Sequence, residues 1–278
     1  MNKINWFPGH MKKALAEMQK EVKNIDAIIY VLDARAPNAC LNPSFVELIG
    51  NKPILYVLNK IDLADENKVC VYANKLQSDN SKVMMLNSTA SGAIKKVTAN
   101  LNELCGKTIE KFKNKGVNYF VRAMVIGVPN SGKSTLVNNL CGNSRAVTGN
   151  RPGVTKAKQW VKLSNNIEIL DTPGTLWPNF EDERLANYLA FIGSIKDDVL
   201  NVEELALSLI EELCALYPNC LSNRYGVSTK DKTAIEIYED IAISKKMIYH
   251  GGDIDYNKAA KLILEDFRKN RLGKISFI

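Results

Sequence analysis

Apolar residues follow two alternating rhythms along the first 170 or so positions of the 278-residue chain. Short runs at 27–32, 54–58, 83–86, 119–126, 159–163 and 167–170 are rich in apolar residues, several of them at nearly every position, as strands buried on both faces require. Between them, 12–23, 43–49, 65–77, 93–104 and 133–140 read as helices. This alternation predicts an α/β unit around a mostly parallel sheet. The lysine-rich stretch 107–116 reads as a surface connector within it. From position 180 the strand rhythm fades, and 201–216, 232–242 and 256–270 carry helical spacing. Asn201, followed by Val202-Glu203-Glu204, reads as an N-cap with acids in the first turn. The expected organisation is an α/β domain at 1–178 followed by a small all-helical domain at 179–278.

Composition narrows the field. With 46% hydrophobic and 24% charged residues, the chain has the make-up of a folded protein with a sizeable core. No apolar run reaches bilayer length, so a soluble, cytoplasmic protein is expected. Six cysteines form no C-x-x-C pair, and the two histidines, His10 and His250, add little support for zinc. The net charge of +7 is uneven. Residues 1–178 carry 24 Lys and Arg against 13 Asp and Glu, whereas residues 179–278 carry 13 against 17. A basic front half suits a polyanionic partner such as nucleic acid, or is simply a solvated lysine surface.

The chemistry concentrates at the ends of the candidate strands. Gly127-Val-Pro-Asn-Ser-Gly132-Lys133-Ser134 follows an apolar run and opens a helix, matching the phosphate-loop pattern G-x-x-x-x-G-K-[ST]. Its glycines let backbone N–H groups curl around phosphate oxygens, and the helix N-terminus adds partial positive charge. Asn130, Ser131, Gly132, Lys133, Ser134 and Thr135 are the expected contacts here. Lys133 would neutralise the β- and γ-phosphates and Ser134 would ligate Mg²⁺. Asn59-Lys60-Ile61-Asp62 ends another strand. A carboxylate there can accept from guanine N1–H and its exocyclic amine, a donor pair that adenine lacks. The segment resembles the guanine-specificity motif of Ras-like GTPases, which implies that Asp62 reads the base, Asn59 builds the loop and Lys60 packs over the ring. Asn87-Ser88-Thr89-Ala90 is similar to the last GTPase motif, though a polar turn before a helix accounts for it equally well.

Asp171-Thr-Pro-Gly174 resembles the D-x-x-G motif, whose aspartate holds Mg²⁺ through water and whose glycine N–H reports the γ-phosphate. Thr155, in Arg151-Pro-Gly-Val-Thr155, is the candidate switch threonine completing the Mg²⁺ shell, with Thr148 as the alternative. These motifs are permuted: the two guanine-reading segments precede the phosphate loop. Together with Trp6-Phe-Pro-Gly-His10-Met11, Asp33-Ala-Arg35-Ala-Pro37 and Asp171-Thr-Pro-Gly-Thr-Leu-Trp177-Pro178, that order makes the whole chain resemble the RbgA/YlqF family of circularly permuted GTPases.

The resemblance implies GTP hydrolysis to GDP in assembly of the large ribosomal subunit. The expected partners are then GTP and GDP, the large subunit and its rRNA, with neither membrane nor DNA among them. A GTPase acting on another RNA or on a protein partner remains the alternative. Thr175-Leu176 stands where many GTPases carry a water-orienting glutamine. The resemblance suggests His10 for that part, while the local reading is a histidine capping a helix after a Pro-Gly turn. By resemblance to GTPases with an asparagine at this place in the loop, Asn130 suggests K⁺ as an added positive charge near the phosphates, while the local reading is a tolerated polar loop residue. The D-x-x-G segment runs directly into the helical region, so loss of the γ-phosphate is expected to alter that region's orientation. RNA contacts are expected on the basic front surface and at the chain end, where Lys258, Lys261, Arg268, Lys269, Arg271 and Lys274 outnumber Glu265 and Asp266.

Overall fold

The computed structural model of the chain describes residues 6–90, 92–141, 159–164 and 166–278. Six strands form one sheet: β1 (Ala27–Asp33), β2 (Ile54–Asn59), β3 (Ser81–Leu86), β4 (Val121–Ile126), β5 (Gln159–Ser164) and β6 (Ile167–Asp171). Their spatial order is β3-β2-β1-β4-β6-β5, and every pairing is parallel except β5 with β6. The central strands are apolar throughout because both faces are covered. From β1, Ala27, Ile29 and Val31 enter one core, beneath α4 (Ala93–Leu104) and α6 (Lys133–Cys141). Ile28, Tyr30 and Leu32 enter the other, beneath α1 (Gly9–Glu21), α2 (Ser44–Ile49) and α3 (Glu66–Leu76).

This second core continues into the helical region: α7 (Glu183–Phe191), α8 (Val202–Leu216), α9 (Cys220–Tyr225), α10 (Ala234–Ser244) and α11 (Tyr256–Arg268). Local chemistry sets their starts. Asp182 caps α7, Asn201 caps α8, Thr233 and Glu236 form a capping box on α10, and Asp255 caps α11. Phe277, fully buried, stacks on Tyr188 at 4.7 Å between ring centroids and tucks the last residues beneath α7. No helix among the described residues is long and apolar enough to cross a membrane.

Three expectations need correction. Positions 107–116 are mostly helix, α5 (Gly106–Lys113), because Phe112 stacks on Tyr119 at 4.1 Å while the lysines take the outer face. Helices α7 and α9 were not foreseen: each is short, and their burial depends on neighbours far along the chain. The first helix begins at Gly9 rather than near 12, since Pro8 lends its carbonyl to the Met11 N–H (2.9 Å).

Candidate nucleotide site

Strand β4 runs into the phosphate loop at the carboxyl edge of the sheet, where open α/β sheets hold ligands. Two glycines are required by close approach. A Cβ on Gly127 (φ 149°) would lie 2.3 Å from the Val31 carbonyl oxygen, and one on Gly132 (φ 95°) would lie 2.1 Å from Asn59 Nδ2. Ser131, fully buried, donates to the Val128 carbonyl at 3.0 Å. Lys133 opens α6 and folds its ammonium back onto the same carbonyl at 2.7 Å. Burial pushes its pKa down to about 8, with Asp171 pulling it upward.

Asn59 joins the three nucleotide motifs. Its Nδ2 donates to the Ser131 carbonyl (2.8 Å), and its Oδ1 accepts from the Ser88 N–H (3.0 Å) and hydroxyl (2.7 Å). Segments separated by 72 and 29 positions thus meet on one buried amide. Lys60, in a left-handed conformation (φ 61°), donates to the Asn130 carbonyl at 2.5 Å and pairs with Asp33 at 2.8 Å. Asp62 is exposed in the 3-10 turn Ile61–Leu63 that follows. Asn87 folds onto its own turn, accepting from the Thr89 N–H and hydroxyl, as a polar turn does, whereas Ser88 is tied to Asn59. Asn139, which sequence reasoning missed, reaches from α6 to the Ser88 and Ala90 carbonyls at 2.8 and 2.9 Å. Its one visible signal is an amide on the helix that carries the phosphate loop.

Asp171 ends β6 beside the loop. Its Oδ2 accepts from Ser134 Oγ at 3.3 Å, while its buried Oδ1 has no hydrogen-bond partner. A serine hydroxyl beside an orphaned carboxylate oxygen is a hard-oxygen donor set, which fits Mg²⁺ with its retained waters. Burial pushes the Asp171 pKa up to about 6, opposed by Lys133, Ser134 and the backbone. The ionised form therefore destabilises the nucleotide-free fold fully above pH 6, and this cost fades as pH falls toward the unfolded value of 3.8. Asp171→Asn is accordingly expected to stabilise the nucleotide-free protein at pH 7.5 by about 2 kcal/mol, read as a Tm rise of about 5 °C that disappears near pH 4. Any gain in GTP affinity on adding Mg²⁺ should be lost in the same variant.

The D-x-x-G segment seats against the loop, since a Cβ on Gly174 would fall 2.7 Å from Pro129 Cα. Thr175, fully buried, donates its N–H to the Gly127 carbonyl, and its Oγ1 has no partner. Leu176, also fully buried, donates its N–H to the sulfur of Met11 at 3.4 Å. That contact brings the first turn of α1 beside the D-x-x-G segment, and neighbouring His10 is exposed there. Thr155 and Thr148 lie outside the described residues. The amide of Asn130, the candidate K⁺ ligand, donates to the Gly193 carbonyl at 2.8 Å. Thr135 is half-buried in the first turn of α6. Of the basic residues at the chain end, three engage the protein itself: Arg268 pairs with Asp197, Arg271 with buried Asp266, and Lys269 with Glu265. Lys258, Lys261 and Lys274 remain exposed.

Comparison with known proteins agrees with this geometry. Residues 122–249 match a family described as 50S ribosome-binding GTPase; the match begins on β4 and leaves the Asn59–Asp62 segment outside it. The chain is 37% identical over 276 residues to ribosome biogenesis GTPase A of Priestia megaterium, covering 99% of this chain and 96% of that protein. It is 38% identical over 275 residues to the protein of that name from Bacillus cereus, covering 99% and 93%. A crystal structure of GNP-bound YlqF from T. maritima superposes with a TM-score of 0.66 at 24% identity, over 95% of this chain and 97% of that one, a likeness of fold. With its Asn59–Asp62 segment ahead of its phosphate loop and its whole length matched by these relatives, the chain belongs to the ribosome biogenesis GTPase A family of circularly permuted GTPases.

Proposed function

We propose that this GTPase uses the site at the carboxyl edge of β1, β2, β4 and β6 to time a step in assembly of the large ribosomal subunit, with residues 1–178 as the GTPase domain and 179–278 as the helical domain. The observation that carries the reading of the site is Asn59, whose single amide holds the phosphate loop and the Ser88 segment in register. In that register Asp62 accepts from the guanine edge, Lys60 lies along the ring, and Ser88 contributes beside the base. Asn87 shapes the turn. The loop N–H groups from Asn130 to Thr135 cradle the phosphates. Lys133, once drawn off the Val128 carbonyl, moves its charge onto the β- and γ-phosphates.

When bound, Mg²⁺ would supply positive charge to offset the charge that develops on the phosphates. Ser134 and Asp171 would hold it, with Thr155 added in the GTP state. K⁺ on Asn130 would add a second positive charge, an assignment that rests on that residue's position within Gly127–Ser134. Gly174 would report the γ-phosphate. We assign His10 to the attacking water: α1 packs against Leu176, so its exposed first turn lies beside the D-x-x-G segment. The partner reading is supported by the named relatives and by the excess of cations over acids in residues 1–178. Lys258, Lys261 and Lys274 extend the cationic surface at the chain end.

The test is GTP hydrolysis in K⁺ and Mg²⁺ buffer, with and without large ribosomal subunits, for the wild type and His10→Ala. The expected result is stimulation by subunits that falls about 100-fold in the variant, with GDP affinity unchanged. If subunits leave turnover unchanged, the partner is another RNA or a protein. If the variant is stimulated as fully as wild type, His10 has no part in hydrolysis.

A further inference from the structure

We propose that Arg268 and Arg35 are positioning residues for the phosphate loop, acting through the Gly193–Ser194 turn of the helical region and through Lys60. The helical region touches the loop directly. Asn130 Nδ2 donates to the Gly193 carbonyl at 2.8 Å, and the hydroxyl of fully buried Ser194 donates to the Pro129 carbonyl at 2.7 Å. That turn is set by the end of α7. Gly193 takes a left-handed φ of 78°, and the Ser194 N–H returns to the Leu189 carbonyl at 2.8 Å.

One guanidinium holds the turn from both sides. Arg268 Nη2 and Nε donate to the last carbonyls of the helix, Ala190 at 2.9 Å and Phe191 at 3.0 Å. Its Nη1 and Nη2 also grip both oxygens of Asp197, each at 2.7 Å, just past the turn. The other half of the circuit begins at the same loop residue. The Asn130 carbonyl accepts from Lys60, and Lys60 pairs with fully buried Asp33. Asp33 binds Arg35 through two side-chain bonds of 2.9 and 2.8 Å, and Arg35 Nη1 donates to the Arg268 carbonyl at 3.3 Å.

The circuit closes on Arg268. Asn130 is thereby held at its carbonyl by the guanine-reading side and at its amide by the helical side. It stands at φ 60°, a left-handed conformation that asparagine tolerates better than most non-glycine residues, and these contacts at both ends of the residue fix its orientation. The tilt of the Asn130 peptide sets where the following N–H groups point, so the ring fixes the phosphate cradle. It also gives a chemical role to Asp33-Ala-Arg35-Ala-Pro37, which is remote from phosphate chemistry. By reciprocity, whatever moves the helical region off the loop changes the grip on phosphate, and phosphate binding holds the helical region in place by the same factor.

The proposal rests on residues 127–134 cradling the phosphates. The test is GDP affinity of the full chain by calorimetry, for Arg268→Ala, Ser194→Ala, Asn130→Ala, the Arg268→Ala/Asn130→Ala double variant, and two references. Arg184→Ala breaks an exposed pair with Glu212 elsewhere in the helical region, and Lys133→Ala removes the loop lysine. Arg268→Ala should weaken GDP about 10-fold and Ser194→Ala about 3-fold, with Arg184→Ala within about 2-fold of wild type. The double variant should lose clearly less than the product of the two single losses, since Arg268 acts partly through the Asn130 amide and partly through Ser194. Losses that multiply in the double variant, or wild-type affinity in Arg268→Ala and Ser194→Ala, overturn the proposal. Should Arg268→Ala not fold, Arg268→Lys, which cannot grip both helix carbonyls and Asp197 at once, takes its place in the single and double variants and is judged by the same rule. Wild-type affinity in Lys133→Ala would overturn the phosphate-loop reading and this proposal with it; loss there with none in the Arg268 and Ser194 variants overturns this proposal alone.

Discussion

Gly132→Ala is expected to abolish nucleotide binding while leaving the sheet folded. Its backbone stands at φ 95°, which L side chains rarely adopt, and an added Cβ would lie 2.1 Å from Asn59 Nδ2. Asn59 cannot retreat without cost, because it is 1% exposed and holds the Ser131 carbonyl and both polar groups of Ser88. The methyl group therefore strains the loop and parts it from the guanine-reading segments. Backbone strain of about 1–3 kcal/mol together with three broken buried hydrogen bonds sets the GDP affinity loss at about 100-fold or more. Calorimetric titration of GDP reads the loss, and circular dichroism reads the retained fold. Binding within about 5-fold of wild type would mean that the loop has room that this packing denies it.

Asp33→Ala is expected to be the most destabilising substitution in the α/β unit. The carboxylate is fully buried, pairs bidentately with Arg35, itself 3% exposed, and also meets Lys60. Burial raises its pKa, but Arg35 and Lys60 outweigh burial and hold it well below the usual carboxylate range. Removing it leaves a buried guanidinium unpaired, a loss of about 3–5 kcal/mol and about 10 °C in Tm. Because the folded pKa is depressed, the stabilisation is present above the ordinary carboxylate pKa. It is lost only as pH falls through the lower folded value, so the difference in Tm between wild type and variant should narrow in strong acid. Asp33→Leu with Arg35→Met should recover much of the stability at pH 7, since no buried guanidinium is left stranded and Lys60, a quarter exposed, keeps its bond to the Asn130 carbonyl. A Tm drop below about 3 °C for Asp33→Ala would contradict this reading of the pair.

Much of the site was visible in the sequence because its signals are local. The phosphate loop, the Asn59–Asp62 segment and the Asp171–Gly174 segment each declare themselves within eight residues or fewer, at the ends of apolar runs that become β4, β2 and β6. What joins them was not visible. Nothing at position 59 announces one amide with partners 29 and 72 positions away, and Asn139 was passed over for the same reason. Charge misled once: lysines at 107–116 concealed the Phe112–Tyr119 stack that makes α5 a helix. Arg268 and Arg271, at helical spacing near the chain end, offered both an RNA contact and a solvated helix face, and their pairs with Asp197 and Asp266 were not visible from spacing. Helical spacing says which residues share a face, not what lies across from it.

The central claim is that a guanine-reading segment placed ahead of the phosphate loop completes one nucleotide site with it. The most direct test is a titration of wild type and Asp62→Asn with GTP and with xanthosine triphosphate, both as non-hydrolysable analogues. An asparagine amide cannot accept from both guanine donors, but it can donate to the oxygen that xanthine carries in place of the exocyclic amine. The account predicts that the variant loses affinity for the GTP analogue by about 100-fold or more and gains it for the xanthosine analogue. A variant that binds the GTP analogue as tightly as wild type would contradict it, because the base would then be read somewhere other than Asp62.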